Sequence, residues 1–426
     1  MYQFVKIIKD NPFWKNVITL SSGTAIAQLI PLICSPILSR LFSPDQFGVY
    51  GTFISIVMVL SVLACGRYEM AILLPNDIKS RINLLTLSLL LAFFFSVAIT
   101  LLILLKSSYL IKFLGYPEEK YLYLIPISVF LISINLSLNY WFNKERKYKI
   151  LSLSRVLKSF GTYASSLIFG FFNLKTMGLI LGYILGQIVI GIYLLYYFIK
   201  DLGCNYNLIS RIDISETAFR YSKFPKFNIL SGLFEKGSGY APIILLTVLF
   251  SKNEAGNFTL AFTVISMPVT LIATAIGDVF REKASSKYQI NGECFLLFKS
   301  TFRKLLIIGV PLFLIIFFGI KFSFTYIFGE RWILASSYSQ TMCLMFCFQF
   351  ICSPLSSMYI IAEKQNLDLL NNFILFLLCI CSFYIGSFYL DSSSAIKVYT
   401  MIYCSKYLVE LMFSYKFSKQ GNKCKN

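Results

Sequence analysis

Residues 41–50 read LFSPDQFGVY, and residues 249–258 read LFSKNEAGNF. The two segments share Leu-Phe-Ser, a glycine and a final aromatic residue at the same spacing, and each position of the second lies 208 residues after its counterpart. A sequence that returns at such a distance indicates an internal repeat, as in transporters built from two related halves. The alternative is a shared turn chemistry, with serine as a helix cap and glycine as a turn residue.

Long apolar runs surround both segments. The chain of 426 residues is 57% hydrophobic and 14% charged, with a mean hydropathy of +0.70, whereas an ordinary soluble domain is about 25% charged. A soluble enzyme is therefore excluded, and runs of about 20 apolar residues are expected to span a bilayer. The sequence predicts twelve spans, at 17–39, 48–66, 84–105, 121–141, 153–173, 177–199, 229–250, 257–278, 304–324, 338–361, 368–388 and 395–415.

The two copies of the repeated segment are separated by six predicted spans. Because six is an even number, both halves have the same orientation and are related by an axis along the membrane normal. The predicted fold is an all-α integral membrane protein with twelve transmembrane helices in two six-helix bundles, related by a pseudo-twofold axis. The predicted domains are an N-terminal bundle at 1–205, a cytoplasmic linker at 206–228 and a C-terminal bundle at 229–426.

The distribution of lysine and arginine predicts the orientation. The amino terminus, the loops after even-numbered spans and the tail hold 28 of these 39 residues, whereas the alternate loops hold 9. Since positive residues accumulate on the cytoplasmic side, both termini are predicted to be cytoplasmic. The same rule accounts for the net charge of +19 without a nucleic-acid partner.

Few residues suit catalysis or a cofactor. The sequence has no histidine and no Walker A glycine loop, and most of its cysteines lie in apolar runs. No metal site, disulfide framework, nucleotide site or cofactor is therefore predicted. Gly178, Gly182 and Gly186 form a stripe of small residues, which predicts close helix packing.

Charged residues within apolar spans, or at their ends, are the candidate functional residues. Burying a charge in a membrane costs several kcal/mol unless the charge faces a partner or a watery cavity. The candidate ligands of an anionic substrate are Arg67, Lys236, Lys406 and Arg155. The candidates for a gate or for ion coupling are Glu69, Glu235, Asp278 and Glu410.

Each of these residues has a structural alternative. Glu235 and Lys236 are adjacent and suit an interfacial ion pair, and Lys406 and Glu410 lie on one helix face and can neutralise each other. Arg67 with Glu69, and Arg155, suit positive anchors that set orientation, whereas Asp278 suits a helix cap. Three polar residues are candidates for binding sugar hydroxyls or for bridging helices: Gln28, Asn135 and Asn139.

Two motifs carry a resemblance to a known family. Residues 35–53, SPILSRLFSPDQFGVYGTF, and residues 66–75, GRYEMAILLP, closely resemble the start of the polysaccharide-type flippases. These are O-antigen translocases of the multidrug/oligosaccharidyl-lipid/polysaccharide exporter (MOP) superfamily. The second motif, at residues 66–75, contains Arg67 and Glu69. The related lipid II flippases usually carry two more helices than the twelve predicted here. This difference weighs against membership of that subgroup and against a groove for the lipid tail of the kind found there.

The resemblance implies a central cavity between two bundles that opens alternately to the cytoplasm and the periplasm. It implies that the substrate is an oligosaccharide repeat unit on undecaprenyl pyrophosphate, moved across the bacterial inner membrane for O-antigen or other surface polysaccharide assembly. Membrane lipids, a polysaccharide polymerase and a chain-length regulator are the other partners that it suggests. The alternatives are a multidrug antiporter of the same superfamily, a membrane enzyme of glycan assembly, and a scaffold.

Overall fold

The computed structural model describes residues 12–114, 116, 119–203, 208–389 and 391–419, and these residues are almost entirely helical, with no β-strand. The chain forms two compact units: Met1–Phe42 with Val49–Lys236, and Ser43–Gly48 with Gly237–Asn426. The predicted boundary at residues 205 and 206 lies outside the described residues, as do both chain ends. The predicted domain limits and the cytoplasmic location of the termini stay predictions.

The helices are labelled in chain order. The first eight are α1 (Pro12–Leu41), α2 (Pro44–Ala64), α3 (Tyr68–Ala71), α4 (Ile78–Leu114), α5 (Lys120–Lys144), α6 (Tyr148–Phe171), α7 (Lys175–Leu202) and α8 (Arg211–Arg220). They are followed by α9 (Ile229–Leu249), α10 (Lys252–Pro268), α11 (Thr274–Asn291), α12 (Phe295–Phe328), α13 (Ile333–Cys352), α14 (Met358–Ile361), α15 (Gln365–Tyr389) and α16 (Ser392–Lys419). A π-helical turn at Val269–Ala273 joins α10 to α11.

Within the described ranges, eight helical segments are long and apolar enough to cross a membrane. A ninth is formed if Glu330–Cys352 and Leu355–Ile361, which meet at a bend of 47°, count as one span. The prediction of an all-α protein with several membrane spans is therefore confirmed, while twelve spans in two bundles stays a prediction.

Three long helices, α6, α9 and α16, are absent from that apolar set. Each of them carries charged residues in its interior: Arg155 and Lys158, Glu235 and Lys236, and Lys406 and Glu410. A charged residue lowers the mean hydropathy of its helix, and in a bilayer it requires a partner or water. Five of the eight candidate substrate-binding and ion-coupling residues thus lie in these three helices.

The glycine stripe of α7 lies in a helix–helix contact of the first unit. A Cβ added to Gly182 would lie 2.2 Å from Ser166 Oγ, and one added to Gly186 would lie 1.9 Å from Thr162 Oγ1. Because Ser166 and Thr162 belong to α6, the small residues allow α6 and α7 to approach closely. The predicted packing role of the stripe is confirmed.

The two repeated segments begin α2 and α10 in the same way. The Ser43 amide donates to Gln46 Oε1 at 3.1 Å, and the Gln46 amide donates to Ser43 Oγ at 3.4 Å. In the second copy the Glu254 amide donates to Ser251 Oγ at 3.2 Å. Both segments therefore form helix N-caps of the Ser-x-x-Gln/Glu type, which confirms serine as the cap.

The glycine of each repeated segment lies inside a helix, so its interpretation as a turn residue is wrong. A Cβ on Gly48 would lie 1.9 Å from the Lys252 carbonyl oxygen, and a Cβ on Gly256 would lie 1.8 Å from the Pro44 carbonyl oxygen. Pro44 corresponds to Lys252 and Gly48 to Gly256, so the contact is reciprocal. The first turn of α2 thus crosses the first turn of α10, in agreement with the grouping of Ser43–Gly48 with the second unit.

Candidate functional site

Arg67 and Glu69 lie together in the first unit, just beyond the end of α2. Arg67 Nη1 is 3.8 Å from Glu69 Oε1, and both side chains are largely buried. Arg67 Nε and Glu69 Oε2 are also buried, and neither has a hydrogen-bond partner among the described residues. Because buried polar groups are normally paired, this loose ion pair retains hydrogen-bonding capacity for a further group.

The backbone at this site is strained. Gly66 and Arg67 both have left-handed conformations, with φ of 59° and 61°. Glycine adopts this conformation freely, whereas for arginine it costs about 1–2 kcal/mol. The turn directs the chain from α2 into α3 and places Arg67 and Glu69 side by side. Strain of this kind persists where the surrounding structure enforces it, which is common at functional sites.

The Arg67 side chain reaches α9. A Cβ added to Gly232 would lie 1.7 Å from Arg67 Nη2, so the guanidinium occupies the space that a side chain at position 232 would fill. Tyr140 of α5 lies within electrostatic range of Arg67, Glu69 and Glu235. We refer to Arg67, Glu69, Tyr140, Gly232 and Glu235 as the Arg67–Glu69 cluster.

Lys236 is adjacent to this cluster. Its Nζ atom lies 4.0 Å from Glu235 Oε1, and both side chains are considerably more exposed than those of Arg67 and Glu69. The predicted Glu235–Lys236 ion pair is thus present, and its exposed lysine can contact a bound molecule. The structure therefore brings four predicted residues, Arg67, Glu69, Glu235 and Lys236, to one region of the first unit.

Glu69 is the buried carboxyl group of the cluster, in the short helix α3 outside the apolar spans, whereas the Glu235 side chain is exposed. Burial raises the pKa of Glu69 to about 7, and the nearby Arg67 guanidinium offsets only part of this effect. The carboxyl group therefore exchanges its proton near neutral pH. When Glu69 is protonated, the Arg67 charge is not neutralised and can attract an anion.

Lys406 and Glu410 form a separate pair on α16, in the second unit. Lys406 Nζ lies 2.5 Å from Glu410 Oε1, and the Glu410 side chain is buried. The ammonium group also lies 4.6 Å from the centre of the Tyr407 ring. Lys406 lines a groove of about 450 Å³ between α15 and α16. The two residues neutralise each other, while the lysine remains accessible from the groove.

We expect Lys406→Met to destabilise the protein, because the Glu410 carboxylate would lose its cation. Breaking a buried ion pair by removing one partner costs about 3–5 kcal/mol. The double substitution Lys406→Met/Glu410→Leu should recover most of that loss, since no buried charge remains. Thermal unfolding of the purified variants in detergent measures both effects, and equal melting temperatures for the single and double variants would contradict this assignment.

The remaining predicted residues lie elsewhere. Arg155 of α6 donates a hydrogen bond to Thr24 Oγ1 of α1, so it connects two helices of the first unit. Asp278 is exposed in the interior of α11, which begins at Thr274 and continues to Asn291. Its interpretation as a residue that closes a helix is therefore wrong, because the helix does not end there.

The polar residues of the first unit act mainly between and along helices. Asn135 Nδ2 donates to the carbonyl oxygen and to the side-chain oxygen of Gln187, both at 2.9 Å. Asn139 Nδ2 donates to the Asn135 carbonyl oxygen within α5 at 2.6 Å, and Gln28 is half-buried in α1. Asn135 therefore bridges α5 and α7, which is one of its two predicted roles.

No pattern in the sequence marks Gly232 or Tyr140 as functional. Gly232 matters because Arg67, 165 residues earlier, lies against it, and no local pattern marks that contact. The sequence also does not show that some of the basic residues that predict the orientation form ion pairs. Lys79 Nζ lies 2.8 Å from Asp213 Oδ2, an ion pair that links α4 to α8.

Comparisons with known proteins identify the family and the fold. Residues 37–337 match the profile of a family described as "Polysaccharide biosynthesis protein". No curated protein sequence matches the chain. A solved structure described as "Lipid II flippase MurJ, inward closed conformation" superimposes with a TM-score of 0.76 at 13% identity, over 94% of this chain and 87% of that chain.

Two further solved structures have the same fold. An outward-facing multidrug resistance MATE family transporter of the MOP superfamily gives a TM-score of 0.61 at 16% identity, over 97% of this chain and 96% of that chain. A MOP superfamily transporter from Pyrococcus furiosus gives 0.62 at 16% identity, over 96% of each chain. At these identities the likeness establishes the fold. The profile match covers most of the sequence and confirms the resemblance seen in the motifs, so the chain belongs to the polysaccharide biosynthesis protein family.

Proposed function

We propose that the protein moves oligosaccharide repeat units, linked to undecaprenyl pyrophosphate, from the cytoplasmic to the periplasmic leaflet by alternating access. The repeat units would serve O-antigen or other surface polysaccharide assembly. The observation that carries this proposal is a buried arginine beside a protonatable carboxyl group, in a chain of the polysaccharide biosynthesis family with the fold of a lipid-linked substrate flippase. The same fold in multidrug transporters supports transport rather than enzymatic catalysis.

The substrate needs such a site because its pyrophosphate and sugars cannot enter hydrocarbon without losing their hydrogen bonds. Arg67 provides a planar group suited to bidentate phosphate binding, and Lys236 provides a second, more exposed cation. Lys406 and Arg155 are weaker candidates, since each already has a partner in the protein. Glu69 is the favoured ion-coupling residue, ahead of Glu235, Asp278 and Glu410, because it combines burial with an unpaired oxygen.

We also propose a membrane arrangement of twelve helices in two six-helix bundles, at 1–205 and 229–426, with a linker at 206–228. This arrangement would place both termini in the cytoplasm. The bacterial inner membrane is the proposed location. A polysaccharide polymerase and a chain-length regulator are the proposed protein partners, because translocated repeat units must next be joined into a polymer.

Deletion of the gene in its host tests the proposal directly. We expect surface polysaccharide to be lost, and complete lipid-linked repeat units to accumulate where a membrane-impermeant probe cannot reach them. Arg67→Gln should fail to restore export, whereas Lys112→Gln, an exposed position at the end of α4, should restore it. Repeat units that accumulate in the periplasmic leaflet would instead assign the protein to a step after translocation, as an enzyme or scaffold.

We also expect export to be weaker in Lys236→Ala, because the exposed ammonium group can no longer contact the phosphate groups. A charge-assisted hydrogen bond contributes about 1.5–3 kcal/mol. Insertion should be unaffected, since the Lys236 side chain is half-exposed and the substitution leaves no buried group without a partner. Export measured against the amount of protein in the membrane checks this expectation, and normal export by the variant would remove Lys236 from the site.

The pH dependence of substrate binding should follow Glu69. Because the protonated form leaves Arg67 free to bind an anion, affinity should fall as the pH rises through about 7. The size of this decrease in affinity depends on how far the bound anion raises the pKa of Glu69. Each pKa unit corresponds to a decrease of about ten-fold. Binding to purified protein between about pH 6 and about pH 8 measures the effect. Glu69→Gln should bind with little pH dependence in this range, and a variant with the parent's profile would exclude Glu69 as the responsible group.

A further inference from the structure

An apolar groove runs between α12 and α13 in the second unit. Its volume is about 540 Å³. Its lining includes Leu306, Val310, Phe313 and Phe317 of α12, and Gln340 and Leu344 of α13. Gln340 is the polar side chain of this set, and its Nε2 atom donates to the Phe317 carbonyl oxygen at 3.2 Å. The groove therefore presents hydrocarbon along its length, and a polar contact between the two helices marks its far end.

A basic cleft lies on α12 at the other end of the groove. It is lined by Leu296, Lys299, Ser300, Arg303, Lys304 and Ile307. The three cationic side chains are exposed, and none has an acidic partner among the described residues. Three positive charges without a counter-charge attract an anion.

Part of the cleft lies on the same face of α12 as the groove. Residues 299, 303, 306, 310, 313 and 317 follow each other at steps of three or four, the spacing that keeps side chains on one side of a helix. Lys299 and Arg303 therefore lie directly in line with Leu306 and Val310. A single elongated molecule that lies along this face would contact cations at one end and hydrocarbon over the rest.

The length of the groove matches one leaflet of a bilayer. From Leu306 to Phe317 the helix rises about 16 Å, at about 1.5 Å per residue. The hydrocarbon core of a bilayer is about 30 Å thick, so one leaflet accounts for about 15 Å. A single fatty acyl chain fits this dimension, whereas a long polyprenyl chain would extend beyond the groove.

We propose that this face binds one diacyl phospholipid with an anionic headgroup, in the leaflet where α12 begins. Its phosphate group lies at Lys299 and Arg303, with Lys304 at the side of the cleft, and one acyl chain lies in the groove as far as Gln340. By the proposed orientation this is the cytoplasmic leaflet. The site belongs to the second unit, whereas the Arg67–Glu69 cluster belongs to the first. Because the groove is too short for a polyprenyl chain, the site binds a resident lipid rather than the transported substrate.

A tryptophan in the groove can report on the lipid next to it. Leu344 of α13 lines the groove and is 45% exposed, so Leu344→Trp places an indole ring where the acyl chain is expected. The full-length variant is reconstituted into phosphatidylcholine vesicles that contain either brominated phosphatidylglycerol or brominated phosphatidylcholine. Bromine quenches tryptophan fluorescence on contact, and the signal of the parent protein is subtracted to remove the native tryptophans.

We expect brominated phosphatidylglycerol to quench this tryptophan at lower mole fractions than brominated phosphatidylcholine. Lys299→Gln/Arg303→Gln/Lys304→Gln should reduce the preference at least five-fold, since one basic residue near an anionic lipid contributes about 1 kcal/mol, or about five-fold. Free glycerol phosphate should not compete, because it lacks the acyl chain. The matched control is Arg281→Gln/Lys283→Gln/Lys287→Gln on α11. It also removes three positive charges and should leave the preference for phosphatidylglycerol unchanged.

Three results would overturn the proposal. Equal quenching by the two lipids would show that the headgroup is not selected, and an unchanged preference in the α12 triple variant would show that these cations do not select it. Absence of quenching by either lipid would show that the groove is covered, for example by another protein. None of these results bears on translocation, which the leaflet assay measures independently.

Discussion

Gly256→Ala is expected to destabilise the second unit by about 3 kcal/mol or more, the upper range for overpacking a close contact. The new Cβ would lie 1.8 Å from the Pro44 carbonyl oxygen and 2.8 Å from the Gly48 amide nitrogen. Both are backbone atoms, so no side-chain rotation can relieve the contact, and the first turns of α2 and α10 must separate. Gly48→Ala should have a similar effect, because its Cβ would lie 1.9 Å from the Lys252 carbonyl oxygen.

Thermal unfolding in detergent, together with the amount of protein in the membrane, measures this effect. Gly319→Ala is the matched control. Gly319 lies inside α12 with nothing within 4 Å of an added Cβ, so alanine should be neutral or stabilise the helix by about 1 kcal/mol. If Gly256→Ala and Gly319→Ala unfold at the same temperature, the two repeated segments do not cross as described.

Arg67→Gln is expected to reduce export at least about ten-fold, because a charge-assisted hydrogen bond to phosphate contributes about 1.5–3 kcal/mol. The substitution also leaves Glu69, which is 1% exposed, without its cation. The double variant Arg67→Gln/Glu69→Gln removes that buried charge and should recover stability without recovering export. This difference separates a role in binding from a role in folding.

A second variant tests the position of the guanidinium. Gly232→Ala places a Cβ 1.7 Å from Arg67 Nη2. Because this atom ends a flexible side chain, the guanidinium can move aside, and we expect export to fall with little loss of stability. Gly239→Ala is the matched control on the same helix, since nothing lies within 4 Å of its added Cβ. Normal export by Gly232→Ala would show that the guanidinium need not lie against α9.

The local chemistry of the repeated segments could be predicted, but its long-range use could not. Ser43 and Ser251 act as the caps that their spacing suggests, because capping depends on residues three positions apart. Gly48 and Gly256 were open to a local interpretation as turn residues. Their actual role requires two segments 208 residues apart to cross, and glycine is needed there for lack of space rather than for its backbone freedom.

The candidate site shows the same division. The rarity of charge in apolar sequence identified Arg67, Glu69, Glu235 and Lys236, because an unpaired charge is costly wherever a membrane helix is placed. The same argument selected Asp278, which the structure leaves exposed on α11. The apolar sequence around a charged residue shows that the charge needs a partner or water. It does not show which of the two the charge contacts in the folded protein.

The sequence by itself determined the all-helical membrane class, the repeated helix starts and the residues whose burial requires compensation. These properties follow from composition and from contacts between residues a few positions apart. The tertiary structure decided that Gly232 accommodates the Arg67 guanidinium, that Glu69 is buried enough to hold its proton near neutral pH, and that α12 aligns a basic cleft with an apolar groove. The physical reason is that burial, electrostatic environment and groove shape depend on which helices pack together, and no local spacing in the chain encodes that packing.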